Sequence, residues 1–224
     1  MTLWTVIAYP LLLSWLLRPP TKAPDYYTLA AEVFFAQPRV QAPMNLVRPD
    51  TVLLDAALFH ATNEARKRFF RPLLQPHHVL QHAAADYAQA MIDKEFYGHQ
   101  HPYSPLERTA KQRIETRGGG FDCTAENIAY YTALDAPDYF YVRYNRQQQH
   151  FEYLNPASMA PLLPYSYADF ARLAVQRWLD SPYHRESLLN TAYTHVGCAV
   201  RLSHRAYQVR KAPYAKLVQK FGGN

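Results

Sequence analysis

The chain has 224 residues, which suits one domain with a short leader and leaves too little length for two full domains. Hydrophobic residues make up 49% and charged residues 19%, so the composition allows a sizeable core and excludes global disorder. The net charge is +6, but the basic residues are scattered without a dense run or an aromatic-basic motif, so no nucleic-acid partner is expected.

The first predicted element is an apolar segment that carries no charge before Arg18 and contains the run from Leu11 to Leu17. We interpret residues 1–20 as a signal peptide or membrane anchor, although a basic start and a small-x-small cleavage site are missing. The alternative is a helix packed on the domain itself. The first interpretation predicts a secreted, periplasmic or membrane-anchored protein that faces outside the cytoplasm, with membrane association through the N-terminus.

Residues 21–50 are dotted with prolines and are predicted to form an extended linker with a short helix at 27–35. The folded domain is predicted over 51–224. Apolar residues at helical spacing predict a helix from an Asp50 or Thr51 cap to Phe69 and a second helix over 77–94. A third is predicted over 104–117, with Pro105 at its first position and three glycines after its end.

The second half of the chain is richer in β-prone residues. Residues 126–131 are predicted to be a loop that enters a strand, and two β-prone runs around a polar tip, 139–144 and 150–154, predict a hairpin. Helices are expected at 167–179 and 183–189, followed by a strand at 194–203. Residues 207–221 should return antiparallel to that strand, with an interruption near Pro213. Helices followed by antiparallel strands predict a mixed α/β layered domain.

Three local groups carry side chains that are suited to chemistry: residues 96–102, 125–129 and 178–185. Their histidines and glutamate can bind a divalent metal, or act as base and orienter for a water molecule. The spacing within any one group is not diagnostic. A single histidine is better explained as a hydrogen-bonded surface or capping residue than as a catalytic residue or metal ligand.

Taken in order, these groups resemble the CAP superfamily (SCP domain), which includes cysteine-rich secretory proteins, antigen 5 and pathogenesis-related proteins, and in particular its bacterial branch. The resemblance covers residues 53–222. The segments that carry it are Asn63-Glu64-Ala65-Arg66, residues 96–102, Ala125-Glu126-Asn127-Ile128-Ala129, residues 178–190, His195-Val196-Gly197-Cys198-Ala199-Val200 and residues 214–222.

The resemblance implies a three-layer α-β-α sandwich with a central antiparallel sheet and a cleft. It places His99, Glu126 and His184 in that cleft as the candidate catalytic cluster or metal ligands. The family's fourth acidic residue falls at Ser181, and the neighbouring Asp180 lies on a different helical bearing. No cofactor is required, but two histidines, one carboxylate and water would hold Zn²⁺ weakly. A long Tyr-rich insertion at about 131–165 departs from the bacterial relatives.

The two cysteines are Cys123 and Cys198. An even pair in an exported protein favours a disulfide, which here would tie the cleft loop to the central strand. The alternative is two unpaired, buried thiols that pack as small apolar groups.

Three functions are compatible with these sequence features. The favoured one is a non-enzymatic, extracytoplasmic binding module that takes a lipid, envelope or protein ligand through the His/Glu cleft and the Tyr-rich insertion. The second is a metal-assisted hydrolase acting on cell-envelope material, with Glu126 as base. Ser181 precedes Pro182 and is interpreted as a helix cap rather than a nucleophile. The third is a structural subunit of an envelope assembly.

Overall fold

A four-stranded sheet lies at the centre of the computed structural model, which describes residues 25–224. The predicted signal peptide or anchor at residues 1–20 lies outside the described residues. The strands are β1 (Gln75–Pro76), β2 (Cys123–Thr132), β3 (Tyr141–Asn145), β4 (His150–Leu154), β5 (His195–Leu202) and β6 (Tyr214–Gly223). The central sheet has the order β1-β5-β6-β2, while β3 and β4 form a separate two-stranded sheet.

Helices cover both faces of this sheet. Within the described residues they are α1 (Ala31–Phe35), α2 (Pro38–Gln41), α3 (Thr51–Arg68), α4 (His78–Asp93), α5 (Ala110–Glu115), α6 (Tyr167–Asp180) and α7 (Pro182–Leu189). Alternate residues of each strand point to opposite faces. Accordingly, Ile128 packs with the buried side of α4, and its neighbour Ala129 packs in the core that α3 and α6 form.

The predicted three-layer α-β-α sandwich is therefore confirmed. The sheet is antiparallel at the β2–β6 and β5–β6 pairs, as expected. It differs at β1, whose two residues pair with β5 in parallel. Residues 69–74 connect α3 to β1, and this short strand lies at the edge of the sheet, running in the same direction as β5.

Most predicted elements occur close to the expected residues. Asp50 caps α3 by accepting a hydrogen bond from the amide of Leu53, and the predicted hairpin is present as β3 and β4. The helix predicted over 104–117 is instead divided into a 3-10 helix at Pro105–Glu107 and α5. The division has a local cause: Thr109 and Gln112 form a capping box, which starts a new helix.

The extended linker predicted for residues 21–50 is not found over residues 25–50, whereas the short helix predicted at 27–35 is partly present as α1. This segment forms a 3-10 helix at Tyr26–Thr28 together with α1 and α2, and it packs on α3. Phe34 is fully buried, and its ring stacks on the buried His60 of α3 with centroids 4.3 Å apart. His60 in turn hydrogen-bonds the Tyr26 carbonyl at 2.8 Å. Proline content suggested an extended chain here, but the buried apolar side chains between the prolines make this segment part of the core.

Two side chains cover the backbone of β5 where β1 ends. The amide group of Gln81 pairs with the backbone of Cys198, accepting from its N–H at 3.0 Å and donating to its carbonyl at 2.7 Å. Asp55 accepts from the N–H of Val200 at 2.7 Å and from Arg201. These contacts satisfy an edge that would otherwise offer free donors and acceptors to another strand. None of the helices in residues 25–224 is long and apolar enough to cross a membrane.

Candidate functional site

Glu126, the central residue of the predicted cluster, is sealed inside the protein. It lies on β2 with a side chain that is only 2% exposed, and it is directly opposite Lys220 of β6 in the strand register. One oxygen accepts from His99 Nδ1 at 2.9 Å, and the other accepts from Lys220 Nζ. Arg113 donates to both oxygens at 3.0 and 2.8 Å. We call Glu126, Arg113 and Lys220 the buried ionic cluster.

This environment keeps Glu126 ionised. Burial alone would raise its pKa, but the Lys220 ammonium, the hydrogen bond from His99 and the Arg113 guanidinium outweigh burial and lower the pKa to about 2. A carboxylate with such a low pKa is a poor proton acceptor at neutral pH. The role of base that the hydrolase hypothesis gave to Glu126 therefore does not fit its surroundings.

The two cations of the buried ionic cluster were not identified from the sequence. Arg113 packs 3.5 Å from the ring centroid of Tyr87 and donates to the carbonyls of Glu107, Arg108 and His99. Burial lowers the pKa of Lys220 to about 8, although Glu126 opposes that shift. The inward position of Lys220 in β6 could have been found from strand alternation. The sequence around Arg113 does not indicate its role, because its partner Glu126 belongs to a different layer of the fold.

His99 and His184 are the two remaining members of the predicted cluster. His99 is more than half exposed, and its contact with Glu126 is made through Nδ1. His184 lies near His99, and burial together with the His99 charge lowers its pKa. Its backbone carbonyl accepts from the buried Asn127 at 3.2 Å. The structure thus brings the three residues into one region, but they do not face each other across an open groove.

The candidate zinc site does not fit this arrangement. In the part of the chain that the structure describes, no three His, Cys, Asp or Glu side chains are placed to hold one metal ion. Glu126 directs both oxygens at cations, so it has no oxygen to offer a metal. The structure therefore does not support His99, Glu126 and His184 as a set of metal ligands.

Ser181 and Asp180 lie apart from the buried ionic cluster. Ser181 occupies the N-cap position of α7, as expected, and Pro182 is the first residue of that helix. The serine side chain makes no capping hydrogen bond, so only its position matches the prediction. Asp180 accepts a hydrogen bond from Gln176, one turn earlier on the exposed side of α6.

The predicted Cys123–Cys198 disulfide is wrong, since both cysteines are free. Strand β6 lies between their strands, and Cys123 is opposite Gly223 while Cys198 is opposite Gln219. Two strand spacings and four residues of register separate the Cα atoms by about 16 Å. A disulfide needs Cα atoms within about 7 Å of each other.

We expect thiol labelling to show two free cysteines with different accessibility. Cys198 is fully buried, and burial raises the pKa of its thiol, so it should react only after denaturation. Cys123 is partly exposed and should react in the native protein. Ellman's reagent, applied without reductant before and after guanidinium, counts both thiols. A Cys123→Ser variant should abolish the native reaction, and a denatured protein without titratable thiols would contradict the prediction.

The Asn-x-x-Arg segment of α3 is structural. Asn63 exchanges two hydrogen bonds with the backbone of Leu74, at 2.9 and 3.0 Å. The fully buried Arg66 donates to the carbonyls of Leu188 and Asn190 at the end of α7, and to Pro72. These residues therefore join α3 to β1 and α7 rather than binding a ligand.

A cleft of about 790 Å³ opens beside His184, near the end of α4 and the start of β6. Three tyrosine rings line it in a row: Tyr97 and Tyr130 have centroids 6.2 Å apart, and Tyr130 and Tyr214 are 4.9 Å apart. The Lys211 ammonium lies over two of these rings, 5.3 Å from the Tyr130 centroid and 4.2 Å from the Tyr214 centroid. Within residues 25–224, Lys211 forms no ion pair. We call this feature the tyrosine cleft.

Sequence reasoning identified His184 of this cleft but missed its other walls. Tyr97 lies within the motif segment 96–102 and Tyr130 directly follows the segment 125–129, whereas Lys211 precedes β6 and Tyr214 begins it. Lys216 also lines the cleft, where it donates to the carbonyls of Met91 and Phe96. The cleft is therefore aromatic with a positive end, which suits a ligand that has an apolar part and an anionic group.

Comparison with known proteins agrees with the motif-based resemblance. Residues 120–210 match the model of the CAP family, described as the cysteine-rich secretory protein family, and this match confirms the resemblance over that segment. A comparison with curated protein sequences finds no match.

Three solved structures are similar to this chain. An extracellular protein containing an SCP domain from Bacillus anthracis is 22% identical with a TM-score of 0.49, over 80% of this chain and 43% of that one. An outer surface protein from Borrelia burgdorferi is 19% identical with a TM-score of 0.47, over 75% of this chain and 90% of that one. A cysteine-rich secretory protein from Staphylococcus aureus is 17% identical with a TM-score of 0.42, over 78% of this chain and 40% of that one. The chain thus spans less than half the length of the first and third.

Proposed function

We propose that this protein, whose residues 120–210 carry the CAP pattern, is a non-enzymatic binding module that works outside the cytoplasm. Its ligand is an envelope molecule with an apolar part and an anionic group, held in the tyrosine cleft. The apolar run from Leu11 to Leu17 supports the location. The observation that carries the ligand class is the row of Tyr97, Tyr130 and Tyr214 with the Lys211 ammonium at one end.

The buried ionic cluster supports binding over catalysis. Glu126 is committed to two cations and to His99, so the carboxylate serves the fold and orients one imidazole. The cleft itself has a positive balance, because Glu95 is the one carboxylate among the described residues that line it, against Lys211, Lys216 and Arg205. An anionic group at the Lys211 end would complete a charge-assisted hydrogen bond while an apolar part lies on the tyrosine rings.

A Lys211→Gln variant should bind an anionic amphiphile about tenfold more weakly, since it loses one charge-assisted hydrogen bond worth about 1.4 kcal/mol. The probe is monomeric dihexanoyl phosphatidylglycerol, titrated by calorimetry at low ionic strength. Dihexanoyl phosphatidylcholine has no net charge and should bind more weakly than dihexanoyl phosphatidylglycerol. Glycerol phosphate tests the anionic group without the apolar part.

The matched control is Lys111→Gln, which removes the same charge from the exposed surface of α5. It should bind like the parent protein. Equal loss in both lysine variants would reduce the effect to net charge, and an unchanged affinity in Lys211→Gln would refute the proposed site. If glycerol phosphate binds as tightly as the lipid, the apolar part of the proposal is wrong.

A further inference from the structure

Phe70 is the most exposed large hydrophobic side chain described, with 95% of its surface open to solvent. It comes immediately after α3, in the segment Phe69-Phe70-Arg71-Pro72-Leu73 that leads to β1. Leu73 is 53% exposed and Phe69 is 40% exposed. This short loop therefore projects three apolar side chains into water, which no requirement of the core explains. We call residues 69–73 the phenylalanine loop.

The backbone of Phe70 shows that the exposed ring is kept at a cost to stability. Its φ is +53°, in the left-handed region. The amide of Phe70 donates to the Lys67 carbonyl at 3.1 Å, and the amide of Arg71 donates to the Arg66 carbonyl at 2.8 Å. These two bonds form a Schellman motif, in which the residue at this position is usually glycine because a Cβ is unfavourable there. An exposed aromatic ring at a glycine position favours a function for the ring over a role in folding.

Arginines flank the phenylalanine loop. Arg68 precedes it and lies over the Phe69 ring at 5.2 Å, Arg71 lies within it, and Arg185 of α7 lines the same shallow depression as Arg71. All three are exposed, and in residues 25–224 none of them has a carboxylate within 4 Å, although Glu186 lines the same depression. Arg68 donates to the Gln176 side chain and Arg185 to the Leu179 carbonyl, and each guanidinium keeps further N–H groups for a lipid phosphate. Tyr183, beside this depression on α7, is 85% exposed.

We propose that the phenylalanine loop docks this protein on an anionic lipid bilayer. Phe70 and Leu73 enter the interface between headgroups and acyl chains, while Arg68, Arg71 and Arg185 contact the lipid phosphates. A projecting ring with flanking guanidinium groups needs an apolar layer beneath an anionic surface, which is the structure of such a bilayer. A second copy of the chain is a poorer partner, since a symmetric contact at this loop would place like charges together.

This inference goes beyond the proposed ligand, because the phenylalanine loop and the tyrosine cleft are separate surfaces with different lining residues, although Arg185 beside the loop and His184 of the cleft are neighbours on α7. The loop leads into β1, which pairs with His195 and Val196 at the start of β5. The cleft is lined by Ser203, which follows the last residue of the same strand. Eight strand residues separate the two ends of β5 by about 27 Å.

The test compares the full-length parent protein with Phe70→Gly in co-sedimentation with vesicles of phosphatidylcholine and 30% phosphatidylglycerol. Loss of the ring should lower the partition coefficient about tenfold. The same variant should melt at an equal or higher temperature than the parent, since glycine suits a positive φ. A residue with only a structural role would not lose membrane binding while gaining stability.

Two controls and one spectroscopic measurement complete the design. Leu106→Ser removes another exposed apolar side chain, 78% exposed and outside the loop, and should leave the partition coefficient unchanged. Arg71→Gln should weaken binding to anionic vesicles, whereas Lys111→Gln, with the same change in charge, should not. In Phe70→Trp, the difference emission spectrum against the parent should shift to the blue when anionic vesicles are added.

Several results would overturn the proposal. These are an unchanged partition coefficient in Phe70→Gly, equal binding of the parent to vesicles of phosphatidylcholine alone, and a difference spectrum that vesicles do not shift. Phe70-dependent capture of a protein, combined with no vesicle binding, would identify the loop as a protein-docking surface instead. None of these outcomes changes the lipid titration of the Lys211 variant, so the loop and the cleft are tested separately.

Discussion

Glu126→Gln should lower the free energy of unfolding by about 3–5 kcal/mol at neutral pH, because it leaves two buried cations without their shared anion. Arg113 and Lys220 are at most 1% exposed, and both point at the Glu126 carboxylate. Glutamine keeps the shape of the side chain but offers one acceptor oxygen without charge. Guanidinium denaturation of the parent and the variant measures the difference.

The control for this prediction is Glu115→Gln, which breaks the exposed Lys111–Glu115 pair on α5. That change should cost less than about 0.5 kcal/mol. Adding Lys220→Met to Glu126→Gln should recover part of the lost stability, since it removes one of the stranded charges. A loss below about 1 kcal/mol in Glu126→Gln would mean that the buried ionic cluster contributes little to folding.

The same cluster predicts how stability changes with pH. Because the folded pKa of Glu126 is about 2 and the ordinary value is 4.5, the unfolded chain binds the proton more readily. The stabilisation is complete above about pH 5 and is lost as the pH falls towards 2, with a total of about 3 kcal/mol. In Glu126→Gln this part of the acid sensitivity should be absent, so its stability should fall less steeply between pH 5 and pH 2 than that of the parent.

Gly197→Ala should be the second strongly destabilising change, with a loss of about 3 kcal/mol or more. A Cβ on Gly197 would lie 2.1 Å from the backbone nitrogen of Gln81 and from the carbonyl carbon of Leu80. Both atoms belong to the backbone of α4, which packs directly on β5, so no side-chain rotation relieves the overlap. The helix would have to move off the sheet. Thermal or chemical unfolding monitored by circular dichroism measures the loss.

Gly98→Ala is the matched control for Gly197→Ala. A Cβ on Gly98 would have nothing within 4 Å, so the substitution should change the free energy of unfolding by no more than about 0.5 kcal/mol. If the two alanine variants unfold at the same denaturant concentration, the close contact between α4 and β5 is not required. The close approach of α4 therefore gives a packing reason for the glycine in the segment Val196-Gly197-Cys198-Ala199-Val200.

The segments that resemble the CAP family have two different roles in this structure. Glu126 and Asn127 belong to buried polar networks, in which Asn127 donates to the His184 carbonyl and to Gln219. His184 belongs to the tyrosine cleft, where an outside molecule has access. A motif that contains His and Glu is therefore not sufficient evidence for catalysis. An inference of catalysis also requires knowing whether each side chain is already hydrogen-bonded to other groups of the protein.

Local patterns in the sequence determined the main helices, the hairpin, the layered α/β class and the likeness to the CAP family. Apolar periodicity, caps and turn residues act over a few neighbouring positions, which is why α3 begins after Asp50 as expected. The linker prediction failed for residues 25–50 because proline content is also local, whereas the burial of Phe34 depends on α3, which comes later in the chain.

Only the tertiary structure decided the chemistry. The charge state of Glu126 depends on Arg113 of α5 and Lys220 of β6, which lie 13 and 94 positions away in the chain. The separation of Cys123 from Cys198 follows from the order of the strands. Electrostatic interaction acts through space and, between exposed charges, is largely screened beyond about 10 Å at physiological salt. A sequence lists the groups that can interact, and the fold selects which of them come within that range.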